Sequence, residues 1–135
     1  MGFDRRLRAV LGGVLALGAS VATAAPAQAP VLKVLSQIEP GRWQLREVDS
    51  KTERTVCISD PRILIQLHHG SAQCSRFVID NQADAGTVHY TCSGAGHGRT
   101  TLSVETPRLL QIETQGLANG LPFESKIEAR RLGGC

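Results

Sequence analysis

Residues 74–93 read CSRFVIDNQADAGTVHYTCS. Two runs rich in Val, Ile, Phe, Tyr and Thr flank a cluster of Asn, Asp and Gly. That is the pattern of two strands joined by a short connection, and a short connection forces antiparallel pairing. The pattern continues toward the C-terminus. Strands are expected over about 74–80, 87–93, 99–105, 109–115 and 122–131, with turn-rich stretches between them. The glycine-rich segment 94–98 reads as a hairpin turn. Toward the N-terminus, Trp43 and Leu45 alternate with Arg42, Gln44 and Arg46, predicting a strand over about 41–48 and a partner over about 53–58. Val31, Val34, Leu35 and Ile38 have helical spacing. Ser59 or Asp60 caps a second short helix that Pro61 opens and Gly70 stops. The expected fold is mainly β: an antiparallel meander of about seven strands, forming a curved sheet or small barrel, with one or two short helices.

Alternation assigns faces, because successive strand side chains point opposite ways. Phe77 and Ile79 form the apolar set of one strand, and Val88, Tyr90 and Cys92 that of the next. Pairing Phe77 with Tyr90 and Ile79 with Val88 sends Cys74 to the opposite face from Cys92. Val56 and Ile58 point inward, so Cys57 points outward with Cys74. Phe123, Ile127 and Ala129 point inward, and Cys135 shares their parity. The expected bridges are therefore Cys57–Cys74 and Cys92–Cys135. Four cysteines in a small exported chain read as two disulfides. Their gaps of 16, 17 and 42 residues lack the close pairs of a structural zinc site.

Export is read from the N-terminus. Arg5, Arg6 and Arg8 precede an apolar run over 9–22 and the Ala22-Thr23-Ala24 cleavage pattern, the three parts of a secretory signal peptide. The expected organisation is a signal peptide over 1–24, a linker and short segment over 25–35, and one disulfide-stapled domain over 36–135. Charged Arg8 favours the general route over twin-arginine export. The expected destination is the periplasm, with secretion as the alternative. The apolar run is shorter than the roughly 20 residues of a membrane span, and no transmembrane helix is expected in the mature chain. Removing 24 residues takes away three arginines and one aspartate. It leaves 12 basic and 11 acidic residues, a net charge of +1, and no basic patch to bind nucleic acid.

The ordered set Pro40-Gly41-Arg42-Trp43, Cys57, Cys74, Tyr90-Thr91-Cys92-Ser93-Gly94 and Arg130-Arg131-Leu132-Gly133-Gly134-Cys135 resembles the bacterial exported domain-of-unknown-function family 3617, over about residues 36–135. The Met/Gly/Pro-rich insert common there after the Trp strand is missing. The resemblance implies an exported β-rich domain and brings no established activity.

No catalytic constellation is visible. Adjacent His68 and His69 diverge by about 100° on a helix, no H-E-x-x-H motif occurs, and these two read as solvated, as do His89 and His97. No metal or cofactor is expected. G-x-S-x-G is absent, so Ser93 is not a nucleophile elbow. The expected function is a non-enzymatic envelope module that binds a small apolar ligand or a protein. Trp43, Tyr90 and His97 are its candidate contacts. The alternative is a periplasmic enzyme inhibitor, since Tyr90 to Gly94 is similar to a strand of C-type lysozyme inhibitors. A hydrolase is the least supported class.

Overall fold

The computed structural model describes residues 30–135. The expected signal peptide and its expected cleavage site lie outside the described residues. Seven strands form one antiparallel sheet: β1 (Gly41–Glu47), β2 (Glu53–Ile58), β3 (Cys74–Asn81), β4 (Ala85–Cys92), β5 (Gly96–Thr106), β6 (Leu109–Ala118) and β7 (Leu121–Gly133). Their spatial order is β2-β1-β7-β6-β5-β4-β3. From β3 to β7 the sheet is the expected meander. The β1–β2 hairpin then docks on β7, so the last strand lies inside the sheet. The sheet stays open, with β2 and β3 as its edges.

Both expected helices are 3-10 segments, Lys33–Gln37 and Pro61–Gln66. Asp60 caps the second by accepting a hydrogen bond from the Arg62 amide at 2.9 Å, and Pro61 fills a position where a missing N–H matters little. Their apolar side chains, among them Val34, Leu35, Leu64 and Ile65, are buried against the inner face of the sheet with Trp43, Leu45, Val88, Leu102 and Ile112. The core reaches back to Leu32, ahead of the expected domain start at residue 36.

The β3–β4 register differs from expectation by one residue. Arg76 pairs with Tyr90 and Phe77 with His89. Arg76 and Val78 therefore face inward, while Phe77 and Ile79 are 70% and 47% exposed. An edge strand has little sheet beyond it to bury its outer face, so apolar character alone does not identify its inner side. Ile79 is the extra residue of a β-bulge, with Val78 paired to Val88 and Asp80 to Thr87.

The bridges are Cys74–Cys92 and Cys57–Cys135, which overturns the expected pairing. With the register as found, Cys74 lies directly opposite Cys92. At the chain end, Arg42 pairs with Gly133 but Trp43 with Arg131, so Leu132 is an extra residue. That bulge reverses the parity of everything after it. Gly133, at φ 151°, follows in a conformation that favours glycine. Cys135 thus reaches the outer face, where Cys57 stands opposite Arg42.

Candidate functional site

Chemistry-bearing side chains converge in two places. The first is the turn after the second 3-10 segment, where the histidines expected to be solvated are engaged. His69 Nε2 donates to the Leu117 carbonyl at 3.0 Å, and its Nδ1 lies 3.0 Å from the Tyr90 hydroxyl. His68 Nε2 lies 2.9 Å from the Ser125 hydroxyl, and its ring stacks on Phe123 with centroids 4.1 Å apart. Burial holds the His68 pKa below its ordinary value, with the Glu47 charge opposing.

A serine beside a histidine invites a hydrolytic interpretation, but the surroundings do not serve it. Ser125 is 8% exposed on an inner strand. His68 lines one hollow of about 230 Å³ and Ser125 a different one of about 220 Å³. Neither hollow offers a substrate access to both groups. The contact instead ties the turn to β7.

Trp43 and Tyr90 were expected as contacts and are fully buried. Trp43 Nε1 donates to the Glu39 carbonyl at 3.0 Å. Tyr90 lies across Gly98, its neighbour in β5, where any side chain would meet the phenol ring. Burial raises the Tyr90 pKa, and a hydrogen bond with Thr114 opposes the rise. His97 is exposed, but on β5 rather than in a loop. The turn before it is short and is held by Ala95 N to Cys92 O and Asn119 N to Ala95 O, both 3.0 Å. His89 and His97 have ring centroids 5.8 Å apart and line an open hollow of about 600 Å³ with Leu117 and Phe123. Among the described residues, no three His, Cys, Asp or Glu side chains converge to hold a metal, and no helix is long and apolar enough to cross a membrane.

The second place lies where the two 3-10 segments meet β3 and β4. An apolar cleft of about 120 Å³ opens between Leu32, Leu35, Ile65, Val78 and Val88, and Arg62 and Arg76 also line it. The same two arginines also line a second hollow of about 510 Å³. Gln66, 5% exposed, builds this corner. Its Nε2 donates to the Gly70 and Ala72 carbonyls at 2.8 and 2.9 Å. Its Oε1 accepts from Arg76 Nη2 at 2.9 Å. Arg76 Nε is buried without a hydrogen-bond partner. Arg62 is committed to Asp60, with Nε 3.0 and 2.8 Å from the two carboxylate oxygens and Nη2 2.6 Å from one of them. Those bonds hold the Asp60 carboxyl below its ordinary pKa.

Gln66 and Arg76 were not singled out in the sequence. The available signal was parity: Arg76 alternates with Cys74 and Val78. Phe77 and Ile79 mask it, because apolar side chains on a strand ordinarily mark its inner face.

No family model, curated protein or solved structure matches the chain.

Proposed function

We propose that this chain is an exported, non-enzymatic module of the bacterial envelope that holds a small ligand with an apolar portion. The ligand would sit in the cleft between the 3-10 segments and β3–β4. One observation carries this reading. Leu35, Ile65 and Val88, each 6% exposed or less, belong to the core and yet wall a cleft that two arginines also line. Small-molecule sites combine apolar walls with a few placed polar groups in this way. Export is supported by the leader-like residues 1–24 and by two disulfides, which persist in oxidising compartments. The test is an NMR titration of the protein expressed from the full chain, using hexan-1-ol as probe. Saturable shifts confined to the methyls of Leu35, Ile65, Val78 and Val88 are expected. Shifts scattered over the surface, or none either with hexan-1-ol or with acids of the same tail, overturn the reading.

A protein partner is the second reading, favoured by Phe77 and Ile79 standing exposed on edge strand β3. Stoichiometric inhibition of a C-type lysozyme, abolished by Phe77→Asp, would replace the ligand-binding function with inhibition.

A further inference from the structure

We infer that the ligand of this cleft carries an acidic head, a carboxylate or a phosphate monoester, and that Arg76 is the group that binds it. The inference rests on the cleft being a ligand site.

The argument begins with charge. Asp60 is the one carboxylate among the residues lining the cleft and the adjoining hollow, against Arg62 and Arg76. Asp60 is fully engaged by Arg62, through both of its oxygens and with the Arg62 amide added. Arg76 has only the neutral Gln66 amide as side-chain partner. One positive charge among the residues lining the cleft is therefore uncompensated.

Geometry gives the second step. Arg76 Nε–H is buried and bonded to nothing. A buried donor without an acceptor is unfavourable, and more so on a charged group. A guanidinium presents its donors as a planar fork that fits two oxygens of one carboxylate or phosphate. An acidic oxygen at the exposed part of Arg76 would neutralise the charge directly; it takes up the Nε–H only after the side chain shifts, because that atom has no surface open to a ligand. Gln66 fixes the orientation. With its Oε1 on Arg76 and its Nε2 on two turn carbonyls, it anchors the guanidinium to the turn that follows the second 3-10 segment. Ile65, Val78 and Val88 line the same cleft and supply apolar walls for the tail of such a ligand. A cleft of about 120 Å³ accommodates a short alkyl or branched tail and not a long acyl chain.

The experiment compares hexanoate, hexyl phosphate and hexan-1-ol, three probes with one tail and different heads. Binding is followed by calorimetry and by the methyl shifts of Ile65, Val78 and Val88. The expected result is that at least one acid binds tenfold or more tighter than the alcohol. Which of the two it is identifies the head. Arg76→Met should bring acid and alcohol binding within twofold of each other, and Arg76→Lys should retain part of the preference. If Arg76→Met does not fold, the Arg76→Lys comparison with wild type decides alone. Alcohol and acids binding equally well would overturn the acidic head and leave the ligand site standing. An acid preference unchanged in Arg76→Lys and Arg76→Met would overturn the role of Arg76. Failure of all three probes would overturn the ligand site and this inference together.

Discussion

Gly98 is where one residue type is dictated by its neighbour. Tyr90 faces it across β4 and β5, and its ring occupies the space a side chain would need. Tyr90 cannot swing away, because it is fully buried and its hydroxyl meets His69. Gly98→Ala should therefore destabilise by about 2–3 kcal/mol, in the range of an overpacked core. Urea denaturation checks this, and a loss under about 0.5 kcal/mol would mean the ring yields easily. His68 gives a pH dependence. Its folded pKa lies below the unfolded value of 6.5 because burial disfavours the charged ring. The unfolded chain then binds the proton more readily. The contribution is fully present above pH 6.5 and is lost as pH falls from there through the folded pKa. The urea midpoint should drop with acidification across that window. His68→Phe, which keeps a ring on Phe123, should show a shallower drop. An unchanged slope would remove His68 from the account. None of this was legible in the sequence, where two adjacent histidines carried no information about Ser125 or Leu117, some fifty residues away.

At the scale of elements, the sequence disclosed every strand and misplaced what a single-residue slip controls. Strand existence follows from local alternation and turn residues, which is why β1 to β7 lie close to their expected positions. Register depends on which face the rest of the fold covers, and a slip of one residue exchanges the faces. At β3 the slip hid Arg76 and turned Cys74 toward Cys92. At β7 a bulge at Leu132 carried Cys135 across to Cys57. The two bridges close loops of very different size, with sequence separations of 78 and 18 residues. Chain entropy assigns them about 4.5 and about 3 kcal/mol. Cys135→Ser should then destabilise more than Cys74→Ser paired with Cys92→Ser. It should also leave Cys57 as an exposed thiol that forms dimers resolved by dithiothreitol. Melting curves and non-reducing gels decide it, and the reverse order of stability would sink the loop-closure argument. Asp60→Ala should cost about 1 kcal/mol through loss of the cap. Asp60→Asn should recover most of it, because an amide oxygen can still accept from the Arg62 amide.

The whole molecule depends on its last strand. β7 lies between β1 and β6, so the first hairpin reaches the rest of the sheet only through residues at the end of the chain. Such long-range pairing concentrates the cost of loop closure in one late event and slows folding. It also means that the end of the chain cannot fray independently, although termini usually do. Ile127 and Ala129 are buried at the centre of the core, and Cys135 fastens the end of β7 to β2. Deleting residues 121–135 should therefore unfold the domain rather than shorten it. The hairpin of β1 and β2 would lose its neighbour, and Trp43 and Leu45 would lose the cover that Ile127 and Ala129 provide. In the intact protein, hydrogen exchange should be slowest for amides of β6 and β7 and fastest at edge strands β2 and β3, because exchange follows the depth of an element in the cooperative unit. The truncated chain should exchange throughout within the dead time of the measurement and show no cooperative urea transition. Protected amides surviving in β4 and β5 of the truncated chain would show that the meander folds alone, with the first hairpin a later addition to it.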